Sequence, residues 1–289
     1  MDVNMQTFVL VVVMISMASM GLELTLADFR RIAAAPRATL LGLVGQLVLL
    51  PLLGLTVGSA IPLAPELAAG LVVITACPGG ASSNMFSFLA GANLALSISM
   101  TALSSLASIV TIPLWLAVGF WLLLDEATRV SVPPQRVFGQ LLVAVIVPIA
   151  VGMTIRARLP ELSARVRRHL RPALTVSMVV MVVGIGYSEW ELVAAQLGSA
   201  TSLAFSLVVI ALSMGWFWAR AVGLDRHDAF TVSIEVGLQN GALATLVVMN
   251  MLQRPEFIIF PGGYVLISFL PVALWTGLFR YRHAQRPAP

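Results

Sequence analysis

The sequence predicts an all-α membrane protein of nine transmembrane helices, folded as an inverted-topology repeat with one interrupted helix in each half. Three observations lead there. Hydrophobic residues make up 59% of the 289-residue chain and charged residues 10%, where soluble domains carry about 25% charge. Apolar runs of about 20 residues, the length that crosses a bilayer, follow one another with short connections and leave no room for a sizeable soluble domain. Two of those runs are interrupted by glycines and amides: ACPGGASSN, Ala76 to Asn84, and EVGLQNGA, Glu235 to Ala242. Lipid leaves unpaired backbone groups unsatisfied, so a helix broken at mid-depth must be buried in protein or line a wet cavity. Paired interruptions in corresponding places of two halves point to the binding site of a transporter.

Taken in order, the expected spans are 5–26, 38–60, 65–90, 93–124, 137–155, 172–186, 200–219, 228–251 and 257–279. The first ends in GLELTLADFRR, and the third holds the first interruption. A turn at Gly91 and Ala92 leads into the fourth. The segment 125–136, with Pro133 and Pro134, reads as a surface linker, and 156–171 as the most charged loop. The eighth span holds the second interruption. Spans one to four and six to nine each carry their break in third place and start on opposite sides of the membrane, which is the inverted repeat, with the fifth left over.

All 17 basic residues are arginines. Positive residues near span ends stay cytoplasmic, and an outside N-terminus leaves only Arg129, Arg136 and Arg254 on the outer side. Net charge of +4 therefore describes loops beside a lipid bilayer, and nothing suggests a nucleic-acid partner. Trp216, Trp218, Trp275 and Tyr281 fall at expected inner ends, as an interfacial belt. Cys77, the one cysteine, excludes an internal disulfide and a cysteine metal cluster, and reads as a small buried residue. MDVNMQ lacks the basic start of a cleaved leader, so the first run is expected to be retained, although small residues near Ala18 would allow cleavage.

Glu235 is the only acidic residue expected near the bilayer midplane, where an uncompensated charge costs about 3 kcal/mol or more. It is read as facing a cation, as a protonated proton carrier, or as a hydrogen-bonded structural acid. Gln239 follows one turn on, and Gly237 lets the helix open so that carbonyls turn inward. Hard cations take several oxygens, which amides, hydroxyls and carbonyls supply without further charge. In the fourth span Asn93, Ser97, Thr101, Ser105 and Ser108 recur at helical spacing. Such a stripe serves close helix packing or, beside Ser83 and Asn84, ligation. Gln46 fits helix contact and ion contact equally. Broken helices also offer half-helix N-termini, which favour an anion, so Asn84 and Asn240 are placed either to touch an organic carboxylate or to cap. His169, His227 and His283 fall in expected inner loops, too far to serve Ser82 or Ser83 as a hydrolase base. Glu23 reads as a surface or interface charge near Arg30 and Arg31. The arginine-rich loop reads as an orientation determinant more than a lipid site.

CPGGASSN followed by GANLALSISMT, then EVGLQNGALA, with MGLELTLADFRR in the first span, resemble the bile acid:sodium symporter family along essentially the whole chain. The resemblance implies a nine-helix form in which two discontinuous helices cross, with core spans within 38–124 and 200–279 and panel spans within 5–26 and 137–186. It implies one sodium site from Ser83, Asn84, Ser97, Thr101 and Glu235. A second would use Gln46, Glu235, Gln239 and the backbone of Val236 and Leu238. Substrate would meet Ala81, Ser82, Asn84, Asn240 and Gly241. Ala81 stands where some relatives have threonine, and Gly241 where serine is frequent, and both changes enlarge or depolarise the substrate side. The expected function is two-sodium symport of an organic anion by alternating access, in a bacterial inner membrane with a cytoplasmic C-terminus. No enzymatic activity is expected. Alternatives are a proton-coupled or facilitative carrier of the same fold, or a ligand sensor without turnover. The residues set no oligomeric state, and a monomer is compatible with them.

Overall fold

The computed structural model describes residues 3–34, 36–125, 134–188 and 190–284, and among them every regular element is helical. In order these are α1 (Val3–Gly21), α2 (Leu26–Ala34), α3 (Pro36–Ala60), α4 (Pro65–Ala76), α5 (Ser82–Leu89) and α6 (Leu94–Leu123). They are followed by α7 (Gln135–Arg158), α8 (Pro160–Ser188), α9 (Trp190–Ala221), α10 (Arg226–Gly237), α11 (Gly241–Leu252) and α12 (Ile259–Ala284). Prolines open α3, α4 and α8, where the missing N–H costs nothing. Five segments are long and apolar enough to cross a membrane: α3, α6, α7, Gly198–Ala221 within α9, and Pro255–Arg282 around α12.

Several boundaries differ from the sequence expectation. The first run stops at Gly21, not residue 26, because Thr25 and Asp28 start a new helix there. The Asp28 carboxylate accepts from the Thr25 backbone at 2.8 Å, and the Thr25 hydroxyl accepts from Asp28 N at 3.3 Å. That reciprocal cap satisfies helix-end donors. The arginine-rich stretch 156–171 is not a loop: α7 runs to Arg158 and α8 starts at Pro160. His169 and His227 are accordingly helical, and His283 lies in the last turns of α12. Most of the expected linker at 125–136 lies outside the described residues. Trp216 and Trp275 meet edge to face at 5.6 Å beside the Phe230–Phe279 stack.

Burial sorts the helices into two classes. In α3, α6, α7 and α9 only 33–39% of the most apolar stretch is buried. By contrast, Leu67 to Ala76 of α4, Ala229 to Gly237 of α10 and Gly241 to Leu246 of α11 are buried without exception. A helix apolar all round is a buried helix or a lipid-facing one. The interrupted segments are therefore the centre of the bundle and the continuous ones its wrapping.

On one side α1 and α7 approach backbone to backbone. A Cβ on Gly152 would sit 2.2 Å from the Ala18 carbonyl oxygen, and one on Gly21 would sit 2.3 Å from that of Ile149. Small residues at such crossings let apolar helices pack closely where no hydrophobic effect helps. Arg156 donates to the Glu23 carbonyl and Ser163 to that of Leu22 at 3.3 Å, fixing the turn after α1. Glu23 itself is buried in this turn, not on the surface. Gly152→Val should force α1 and α7 apart and destabilise the fold by about 1–3 kcal/mol or more; thermal unfolding of the purified protein in detergent checks this, with an unchanged melting temperature as the contrary result.

Candidate functional site

The two interruptions meet. Gly80 N donates to the Leu238 carbonyl at 3.0 Å and Asn240 N to that of Pro78 at 2.9 Å, so Gly79 and Gln239 form one antiparallel bridge. Each broken helix thereby satisfies the other's freed backbone groups, which buried chain requires. Tyr264 of α12, fully buried, donates to the Gly237 carbonyl at 2.9 Å. The glycines are needed for closeness: a Cβ on Gly79 would lie 2.4 Å from Glu235 Oε2.

Glu235 lies against this bridge with no exposed surface. Its carboxylate accepts from Ser83, from Ser97 at 2.5 Å, and from Thr101 at 3.0 and 2.9 Å to its two oxygens. All three donors are neutral hydroxyls, and no described basic side chain pairs with it. Around the corner Gln46 donates to the Cys77 carbonyl at 3.0 Å and to Gln239 Oε1 at 2.8 Å, while Gln239 Nε2 donates to the Val236 carbonyl at 2.7 Å. Gln46 stands in a wide π turn of α3, Gly45–Leu49, of the kind frequent at functional sites. The indole of Trp115 takes the Leu47 carbonyl of that turn at 2.9 Å.

Thus α3, the α4–α5 break, α6 and the α10–α11 break bring Ser83, Ser97, Thr101 and Glu235 into one cluster and Gln46, Val236 and Gln239 into an adjoining one. The Leu238 carbonyl is committed to the bridge by one of its lone pairs. Asn84 is buried beside Ser83, and its Oδ1 has no partner; Gln46 Oε1 is the other orphan here. The polar stripe of α6 divides. Ser97 and Thr101 reach Glu235, whereas Ser105 and Ser108 return their hydroxyls to carbonyls of their own helix at 2.7 Å. Asn93 caps α6 through Leu96 N and holds Asp228 of α10 at 2.8 Å. Asn240 caps α11 through Leu243 N at 3.0 Å. Of the other expected substrate residues, Ala81 is exposed, Ser82 half-buried and Gly241 buried. Sequence reasoning passed over Gly79, Tyr264 and Trp115. Gly79 carried a signal, since the break needs a residue without a side chain.

The sequence profile described as the sodium bile acid symporter family matches residues 7–196. The chain belongs to that family. A P3 protein of Homo sapiens is 31% identical over 245 residues, 84% of this chain and 50% of the relative. An uncharacterised sodium-dependent transporter of Bacillus subtilis, YocS, is 29% identical over 79% of this chain and 70% of its own length. The human ileal sodium/bile acid cotransporter is 25% identical over 96% of this chain and 80% of its own length. The chain spans about half the length of the P3 proteins that it matches. The family's description is that of sodium symporters, and the described residues of this chain are helical, with five segments long and apolar enough to cross a membrane.

Hydrogen bonds to a charged acceptor contribute about 1.5–3 kcal/mol each, whereas a hydroxyl folded back on its own helix contributes little. Thr101→Val should therefore lower stability by about that amount, and Ser108→Ala by much less. Thermal denaturation of the two variants in detergent measures the difference, and equal losses would contradict the division of the α6 stripe.

Proposed function

We propose that the chain is a sodium-coupled symporter of an organic anion, working by alternating access, with two sodium ions as co-transported cargo. The observation that carries this reading is a fully buried carboxylate, Glu235, held only by neutral hydroxyls where two broken helices cross. A charge in such a place needs a partner, and the chemistry around it is that of a hard-cation cage. The first ion would use Ser83, Asn84, Ser97, Thr101 and Glu235. The second would use Gln46, Glu235 and Gln239 with the carbonyls of Val236 and Leu238. In support, each set holds one buried oxygen without a partner, Asn84 Oδ1 in the first and Gln46 Oε1 in the second. A buried acceptor left unmet costs about 1–3 kcal/mol, which a cation removes.

The anion would sit at the N-terminus of α5. That end is opened by Ala81, which has no capping side chain and is exposed, with Ser82 beside it. The α11 end is buried and already capped by Asn240, so Asn240 and Gly241 would shape the site from behind. Sodium would neutralise Glu235 and tie α3, α6 and the two breaks together, favouring the substrate-ready form. Nine spans in an inverted repeat belong to the same proposal, as do a core of α3–α6 and α9–α12 and a panel of α1, α7 and α8. The antiparallel bridge between the breaks supports the repeat, since it requires the two chains to run in opposite senses. The names of relatives, which speak of sodium/bile acid and sodium-dependent transport, support the sodium coupling. An N-terminus outside a bacterial inner membrane rests on the arginine pattern.

Uptake of carboxylates into proteoliposomes tests the coupling. Uptake should rise sigmoidally with sodium and fall to background in Glu235→Gln, and uptake that is flat from zero to high sodium would defeat the proposal. Gln46→Leu should leave one ion site, so the sodium dependence should lose its sigmoidal form and maximal uptake should drop at least about tenfold, the effect of losing roughly 1.4 kcal/mol.

A further inference from the structure

Gln46 reaches the crossing from a helix that is itself irregular, and the irregularity has a cause in the sequence. Pro51, buried in α3, has no N–H to give the Leu47 carbonyl one turn before it, and its ring crowds that carbonyl. Between Gly45 and Leu49 the chain widens into a π turn, in which Leu50 N donates five residues back to the Gly45 carbonyl. The extra residue of such a turn rotates the side chains within it about the helix axis. The direction of Gln46 therefore depends on the turn being kept.

The turn cannot migrate along α3, because the helix is seated on either side of it. A Cβ on Gly42 would collide with Met100 of α6, and one on Gly54 with Thr75 of α4, close approaches that fix apolar helices against each other. Two half-buried indoles then hold the turn. Trp218 of α9 donates to the Leu41 carbonyl at 2.8 Å, and Trp115 of α6 to the Leu47 carbonyl at 2.9 Å. The second acceptor is the one that Pro51 leaves without its helical donor, so Trp115 stands in for a missing backbone N–H. On the inner side the turn presses on α10, where a Cβ added to Gly45 would lie 3.3 Å from the Val236 side chain. From there Gln46 spans both breaks, through the Cys77 carbonyl and Gln239 Oε1.

We infer that Trp115 is a positioning residue for Gln46. Its indole donates to backbone and to no side chain of the two proposed ion sets. By meeting the acceptor that Pro51 cannot, it keeps the wide turn, and the turn aims Gln46 at the crossing. Its consequence for transport rests on the two-ion reading above: Trp115 sets the sodium affinity of the Gln46 site from outside that site. Pro51 and Trp115 thus act as a pair.

The test compares Trp115→Phe and Pro51→Ala, alone and together, in the purified full-length protein in detergent, with two readouts. Phe keeps an aromatic ring and loses the N–H. The sodium concentration giving half of the maximal thermal stabilisation should rise about threefold to tenfold in Trp115→Phe, as one lost hydrogen bond implies. Pro51→Ala returns a backbone donor to the Leu47 carbonyl, so Trp115→Phe should then move the half-point by less than about twofold. In Gln46→Leu it should move it no further. The second readout, hydrogen exchange over residues 41–52 without sodium, should quicken about threefold or more in Trp115→Phe and return towards the unaltered rate in the double variant. An equal rise in half-point with and without Pro51, a further rise in Gln46→Leu, or a lower melting temperature with half-point and exchange unmoved would overturn the proposal. If the unaltered protein shows no sodium shift, the coupling reading fails and exchange alone decides the positioning role. Faster exchange that Pro51→Ala cancels then upholds it, and unchanged exchange overturns it.

Discussion

The structure depends on one constraint: a carboxylate placed where water cannot reach it must be surrounded by groups that point dipoles at it. Three hydroxyls from two elements do this for Glu235. They can do so only because α4 and α10 both stop short. An unbroken helix at Ala76 would carry Ser83 about two turns further along its axis, roughly 10 Å away, and an unbroken α10 would leave no room for Gly79 against the carboxylate. The breaks, the glycines and the serines are thus a single solution to a single electrostatic problem.

Breaking two helices in the interior creates a second problem, because each break frees backbone donors and acceptors. The crossing solves it by making the two breaks each other's partner, through Gly80 to Leu238 and Asn240 to Pro78. Side chains take up the remainder: Gln46 meets the Cys77 carbonyl, and Tyr264 meets that of Gly237. The supports come from α3 and α12, helices long enough to cross the membrane unaided. Rigid spans therefore hold the irregular chain in place, as irregular backbone at membrane depth demands.

Much of this was legible in the sequence because apolar surroundings make polar residues conspicuous. Glu235 stood out as an acid in an apolar run, and the glycine-rich breaks stood out for the same reason. Helical spacing put Ser97 and Thr101 on one face, and the structure sends both to Glu235. What spacing could not tell was where that face stops serving the site. Ser105 and Ser108 share the stripe yet give their hydroxyls to carbonyls of their own helix, Ser105 also lying 3.7 Å from Met20 Sδ of α1, because the broken chain crosses α6 near its start. The 156–171 stretch misled for a different reason. Arginines lower hydropathy without lowering helix propensity, so a charged stretch reads as a loop although α7 and α8 continue through it. Gly21 and Gly152 were silent, since contact between two glycines leaves no local pattern.

The choice of neutral oxygens over a fixed positive side chain has a consequence for any cycle through this site. An arginine against Glu235 would form a buried ion pair whose rupture costs about 3–5 kcal/mol, and the crossing would then be locked. Hydroxyls hold the carboxylate without such a lock, since a hydroxyl proton can rotate to leave its lone pair for a cation. The same atoms therefore fit both an ion-bound and an ion-free crossing without repacking the core. The two orphan oxygens, Asn84 Oδ1 and Gln46 Oε1, belong one to each of the proposed ion sets. In the proposed two-ion reading one carboxylate would serve both cation sites and make them interdependent, because the first ion would remove the charge that attracts the second. Cooperative loading would then come from geometry, from the first ion drawing α3, α6 and the breaks together, and this would tie ion binding to the shape of the bundle.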